Sequence, residues 1–147
     1  MSATTPTTSK DRKGRILVVD NDERIVTAIA ARLTSEGYEC LPAGSARQGL
    51  SLYERGGVDL VITDLNMPEC DGIALSERLR EISSVPILQI TAYPTVYEGC
   101  TSHIRDTCVV SKPFEWDALL ALVADKIAQH REKERARIDL FFGPRGI

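Results

Sequence analysis

From Arg15 onward, short β-branched runs alternate with segments whose apolar positions recur at helical spacing. "RILVVD" (15–20) is the first such run and ends in an acid. Residues 22–36 place Ile25, Val26, Ile29, Ala30 and Leu33 on one helical face, and Gly37 is placed to end that helix. "YECLPA" (38–43) reads as a weaker strand towards a sheet edge, because Pro42 has no amide to donate. Ser45 followed by Gln48 is a capping-box pattern and predicts a helix to about Arg55. "VDLVIT" (58–63) is the third strand, and Gly72 to about Ile82 the third helix. "PILQIT" (86–91) and "TCVVS" (107–111) are the fourth and fifth strands. Between them, "AYPTVYEGCTSHIRD" should hold a helix, but Gly99, Thr101 and Ser102 make it a poor one. The last helix is predicted from near Phe114, with Leu119, Leu120, Val123 and Ile127 on one face. Beyond Ile127 the chain reads as a charged helical extension that ends in an apolar "LFF" and a Gly-Pro turn.

Strands alternating with helices imply an α/β fold, a parallel sheet covered on both faces. Right-handed crossovers make it a doubly wound sheet, whose functional crevice lies beyond the C-terminal strand ends. The expected organisation is a flexible lead-in (1–13), one domain (14–130) and a charged extension with its tail (131–147). Hydrophobic content of 43% and charged content of 27% fit a globular chain of 147 residues with a sizeable core. A net charge of −3 gives no general attraction to nucleic acid or anionic membrane. No apolar stretch approaches the roughly 20 residues needed to cross a bilayer, and the N-terminus lacks the apolar core of a secretory signal. Cys40, Cys70, Cys100 and Cys108 show neither CxxC pairing nor zinc-ligand spacing, so reduced thiols and a cytoplasmic location are expected.

The strand ends carry the chemistry. Asp20, Asn21 and Asp22 follow the first strand, and Asp64 ends the third. Thr91 ends the fourth, and Ser111, Lys112, Pro113 and Phe114 follow the fifth. A carboxylate cluster facing one lysine is costly unless a cation joins it, and oxygen-only ligands favour Mg²⁺ or a similar hard ion. A metal and an ammonium around one accessible carboxylate suit phosphoryl transfer, with the acid as nucleophile. Asp64 should then stand at the rim, with the Met67-Pro68 and Asp71-Gly72 segment holding the next loop stiff. Asp22 reads as a helix cap or helix-start acid, and His103 and His130 as surface residues without acidic partners at useful spacing.

The set "ILVVDND", "DLVITDLNMPECDG", "ITA" and "SKPF", in that order, resembles the receiver domain of two-component response regulators over roughly residues 14 to 130. The resemblance implies a flavodoxin-like five-stranded sheet of strand order 2-1-3-4-5. It implies that a histidine kinase or phosphotransfer protein passes a phosphoryl group to Asp64. It also implies that Mg²⁺ is held by Asp20, Asn21, Asp64 and the backbone carbonyl of Asn66. Thr91 would hydrogen-bond the phosphoryl group, Lys112 would pair with it, and the Lys112–Pro113 bond would be cis, adding a slow folding phase. The expected output is contact with a downstream protein, without direct DNA or membrane binding, and with a homodimer through the 92–130 face. The "LFF" would pack on the core or on a partner.

Two positions depart from the family pattern. Asn21 stands where a second acid is usual. The lost charge is worth about 4 kcal/mol gross at an effective dielectric near 20, much of it offset by desolvation, so weaker Mg²⁺ binding is expected. Asp22 would compensate in part if it turned to the site. Val109 stands where an aromatic is usual, three positions before Lys112, and "SHIRDTC" replaces the usual preceding Gly-Ala segment. These departures motivate an alternative, a phosphate-independent binding module of the same shape. A metal-dependent phosphatase, the enzymatic reading, commonly needs a second aspartate two residues after the first. That position is Asn66, and the chain is expected not to be an enzyme.

Overall fold

A computed structural model describes residues 13–66, 71–101 and 103–143. The lead-in before Lys13, the Met67-Pro68 pair and the residues after Gly143 lie outside them. Five strands and five helices alternate in the order β1 (Arg15–Val19), α1 (Glu23–Ser35), β2 (Glu39–Ala43), α2 (Ala46–Glu54), β3 (Leu60–Asp64), α3 (Asp71–Ile82), β4 (Ile87–Thr91), α4 (Pro94–Thr101), β5 (Thr107–Ser111) and α5 (Trp116–Phe142). All neighbouring strands are parallel, in the order β2-β1-β3-β4-β5. The sheet is doubly wound, as the alternation of elements predicts, its flavodoxin-like order is the one the resemblance implies, and Pro42 falls on an edge strand.

The sheet divides the core into two layers. Ile16, Val18, Ile62, Leu88 and Ile90 pack with Ile29 and Leu33 of α1 and with Leu119, Val123 and Ile127 of α5. On the other face Leu17, Val19, Val61 and Ile87 pack with Leu75 and Leu79 of α3. A smaller cluster of Leu65, Ile73 and Ile104, with Tyr97 against it, fastens α4 and the turn after it.

Helix ends follow local chemistry. Asp22 caps α1, its carboxylate accepting from the Arg24 amide at 3.0 Å. Ser45 Oγ accepts from the Gln48 amide at 3.1 Å, while Gln48 Oε1 reaches back to the Gly44 amide at 2.8 Å, one residue beyond the usual capping box. Pro94 opens α4, where its missing amide costs nothing, and α4 is only 8 residues long. Arg80 ties the far end of α3 to the next two strands, donating to the carbonyls of Val85 at 2.8 Å and Asp106 at 3.3 Å. The third helix begins at Asp71, one residue before the Gly72 start that the sequence predicts.

The last helix differs most from expectation. It runs unbroken for 27 residues, with Glu115 rather than Phe114 at its start, and Phe114 instead meets Trp116 edge to face at 5.2 Å. Its buried residues stop at Ile127. Leu140, Phe141 and Phe142 are all strongly exposed and do not pack on the core. Cys40 and Cys108 are free thiols, and burial pushes the Cys40 thiol up to about 11. No helix among the described residues is long and apolar enough to cross a membrane.

Candidate functional site

The C-terminal ends of β1, β3, β4 and β5 bring Asp20, Asp64, Thr91 and Lys112 together. β3 is buried along its whole length, and its last residue, Asp64, keeps only 6% of its surface exposed. It is more covered than a rim position suggested, because Lys112 reaches over it: Nζ lies 3.1 Å from Asp64 Oδ2. The other oxygen, Oδ1, accepts from the Asn66 amide at 2.8 Å. Thus both carboxylate oxygens are held, one by a main-chain amide and one by the lysine.

Asp20 is 3% exposed and stands 4.0 Å from the same lysine nitrogen. Its Oδ1 accepts from the Asp22 amide at 2.8 Å, so Asp20 is turned into the site and is not the helix cap. Burial pushes its pKa up to about 6; the Asp22 amide opposes this, the nearby Asp64 adds to it, and Lys112 opposes it. Asp22 does not compensate for Asn21. Its carboxylate faces outward to Arg24, 3.4 Å away, and that contact lowers its pKa. Asn21 itself lies exposed between them.

Thr91 is fully buried and joins the other two strands of the site. Its hydroxyl donates to Asn66 Oδ1 at 3.2 Å and accepts from the Tyr93 amide at 2.9 Å. Its carbonyl accepts from the Lys112 amide at 2.8 Å. The Lys112–Pro113 peptide is cis. Gly72, at the start of α3, packs directly on the Asp64 main chain, and a β-carbon there would overlap the Asp64 carbonyl oxygen. Beside the site, a mainly apolar cleft of about 700 Å³ lies between α1 and the segment after β5, with Ile25, Ile29, Phe114 and Trp116 in its walls and Lys112 at one end.

The donor set fits a hard divalent cation. Two buried carboxylates, one 3.1 Å and the other 4.0 Å from a single ammonium, form an oxygen-only donor set of the kind a hard cation takes. No group of three His, Cys, Asp or Glu side chains that could hold a metal ion is found among the described residues.

Two features escaped the sequence reading. His103 does have an acidic partner: its Nε2 lies 2.9 Å from Glu77 Oε2 of α3, a pairing across the fold that linear spacing could not show. Gln89, within the run "PILQIT", is fully buried and bonded to Ser76. The signal was a lone amide inside an otherwise apolar strand.

Residues 16–124 match the family model of the response regulator receiver domain, and the chain belongs to that family. Among curated relatives it is 32% identical over 120 residues to the transcriptional regulatory protein GlrR of Escherichia coli (strain K12), a match covering 80% of this chain and 27% of GlrR. It is 33% identical over 141 residues to the sensor histidine kinase RcsC of Salmonella typhi, covering 89% of this chain and 15% of that protein. The chain therefore spans only a minor part of the length of these relatives. Its fold is similar to that of response regulator protein TrrA from Thermotoga maritima, solved in complex with Mg²⁺-BeF, with a TM-score of 0.70, 32% identity, and coverage of 77% of this chain and 98% of the other. A CheY-like receiver domain protein from Methanospirillum hungatei JF-1 matches in fold, with a TM-score of 0.76 at 24% identity over 82% of this chain and 98% of that one.

Proposed function

We propose that Asp64 accepts a phosphoryl group from the phosphohistidine of a histidine kinase or phosphotransfer protein. One observation carries this reading: the Asp64 carboxylate is held between the Asn66 amide and the Lys112 ammonium, with Asp20 4.0 Å from the same ammonium. An Asp64 oxygen attacks phosphorus, the P–N bond to the donor imidazole breaks, and the ring nitrogen keeps the electron pair. Lys112 neutralises charge gathering on the phosphoryl oxygens, and the Thr91 hydroxyl exchanges its bond to Asn66 for one to the phosphoryl group.

Asp20, Asn21, Asp64 and the Asn66 backbone carbonyl would hold Mg²⁺, which supplies charge neutralisation at the phosphoryl oxygens when bound. One acid fewer than usual makes that binding weaker. The residue two beyond Asp64 is the neutral Asn66, tied to Thr91, and it cannot serve as the acid or base of a phosphatase acting on external esters. The chain is thus a phosphoacceptor and not a turnover enzyme.

The apolar cleft between α1 and Phe114–Trp116 opens beside Lys112 and suits a helix of the phosphodonor. The output surface lies in residues 92–130, through which the phosphorylated form contacts a downstream protein or a second copy, in the cytoplasm and without direct DNA contact. In this reading residues 14–130 are the receiver and 131–147 a charged extension of it.

The test is labelling with acetyl phosphate and Mg²⁺, read by intact mass. The wild type should gain one phosphoryl group and Asp64→Asn none. Label retained by the variant contradicts the assignment. An unlabelled wild type that still binds a partner favours the phosphate-independent module.

A further inference from the structure

Two polar side chains lie wholly inside the molecule, on the side of the sheet covered by α3, and phosphoryl transfer as described above uses neither. Gln89 and Ser76 are both 0% exposed. Gln89 stands in β4 two residues before Thr91, in register with Thr63 of β3, the residue before Asp64, and with Val109 of β5. Its Nε2 donates to Ser76 Oγ at 3.0 Å. Ser76 Oγ in turn donates to the Gly72 carbonyl at 2.8 Å. Gly72 is the residue whose backbone rests against the Asp64 carbonyl. A continuous path of contacts therefore runs from the strand that carries Thr91, through Gln89 and Ser76, to the first turn of α3 and the main chain of Asp64.

Packing alone does not account for this pair. Central strands of a doubly covered parallel sheet are normally apolar throughout. Here the amide is costly, since Gln89 Oε1 has no hydrogen-bond partner among the described residues. A serine inside a helix that bonds back to the carbonyl four residues earlier is mildly unfavourable as well. Two unfavourable choices that meet at 3.0 Å, and end on the main chain of the acceptor, point to position rather than stability.

We infer that Gln89 and Ser76 are positioning residues of the phosphoacceptor site, which clamp β4 and its Thr91 to the start of α3 and the Asp64 main chain. The inference rests on the phosphoacceptor reading of Asp64. The clamp fixes the separation between nucleophile and hydroxyl before phosphorylation. It also passes any shift of Thr91 to α3, a route that does not need an aromatic side chain at position 109.

The test compares Gln89→Met and Ser76→Ala with the wild type and with Asp64→Asn. Three quantities are read: the labelling rate with acetyl phosphate and Mg²⁺, the urea midpoint, and amide hydrogen exchange over residues 72–76. Gln89→Met keeps the volume and removes the unpaired amide, so its midpoint should equal or exceed that of the wild type. Its labelling should slow roughly tenfold, as expected for a small misplacement of reacting groups, and exchange at 72–76 should quicken. Ser76→Ala should act in the same direction, and the double variant should be no slower than Gln89→Met, because the two act as one chain. Wild-type labelling rates in both single variants overturn the inference, as does slowing that merely tracks a lost midpoint. If Gln89→Met does not fold, Ser76→Ala, which removes one hydroxyl, decides by the same criteria. A wild type that takes no label overturns the phosphoacceptor reading itself, and this inference with it.

Discussion

The two sides of the site are built to different standards. On the β1–β3 side, Asp20 and Asp64 end strands that are buried nearly throughout, and both carboxylates are held by main-chain amides two residues on. On the β4–β5 side, β5 is only partly covered, α4 has 8 residues, and Tyr93, Val96 and Val109 are exposed. A groove of about 450 Å³ lies between α4 and β5, with Ile104, Thr107 and Val109 among its lining residues. The β1–β3 half is thus prearranged, whereas in the other half β4 is buried but β5 and α4 are thinly packed. Thin packing lowers the free energy of local rearrangement, which is what a responding element needs. Thr91 and Lys112 bridge the halves, since the Lys112 ammonium lies 3.1 Å from Asp64 Oδ2 and the Thr91 hydroxyl donates to Asn66 Oδ1 at 3.2 Å.

The contrast can be tested by removing the bridge. Lys112→Ala deletes the ammonium that holds Asp64 and should slow labelling by acetyl phosphate by roughly a hundredfold, the scale for loss of one charge-stabilising donor at a reacting group. Stopped-flow labelling under fixed Mg²⁺ measures it. A rate within twofold of wild type, taking about a factor of two as noise, would place the stabilising charge elsewhere.

A second change acts on the acceptor half alone. Asp20 has an ordinary carboxyl value of 3.8 and is raised to about 6 in the fold. Between these values the unfolded chain has released the proton while the folded protein still holds it. Stability conferred by the protonated form is therefore lost as pH rises through this window, and the cost is complete above about pH 6. In Mg²⁺-free buffer, Asp20→Asn should stabilise the protein by about 1–3 kcal/mol at neutral pH and by almost nothing in mild acid, as read from urea midpoints. Saturating Mg²⁺ should shrink the gain, because the variant loses a ligand. A gain that is flat with pH would show that Asp20 is not the charged group under strain.

The smallest effect belongs to the β4–β5 half. Val109→Tyr places an aromatic against the α4–β5 groove and should raise stability by about 0.5–1 kcal/mol through added apolar burial, while leaving the labelling rate near that of wild type. Urea titration beside the labelling assay separates the two. A large change in rate would mean that the halves are coupled more tightly than their packing shows.

How much of this could be read from the chain depends on the kind of signal. The alternation of strands and helices and the rim residues were legible because β1 and β3 are short, β-branched and followed at once by polar residues, as in "VVDND" and "VITDL", whereas the strand order came only from the family resemblance. Local periodicity also gave α1 and its cap, since the Asp22 carboxylate finds its partners in Arg24, only two residues on. What stayed hidden depended on three-dimensional neighbours. Glu77 meets His103 across 26 residues, and Gln89 meets Ser76 across 13. The unbroken course of α5 to Phe142 was also missed, because "LFF" reads as apolar and buried when nothing in the sequence says that the core ends at Ile127.

The central claim is that Asp64, Asp20 and Lys112 form a working phosphoacceptor site despite Asn21. Amide NMR shifts on addition of Mg²⁺ and beryllofluoride, a phosphoryl mimic, test it most directly, in the wild type and in Asp64→Asn. Saturable, Mg²⁺-dependent shifts around Asp20, Asp64, Thr91 and Lys112 that extend into residues 92–111 and vanish in the variant are the expected result. Unchanged spectra at millimolar Mg²⁺, or identical shifts in the variant, would contradict it.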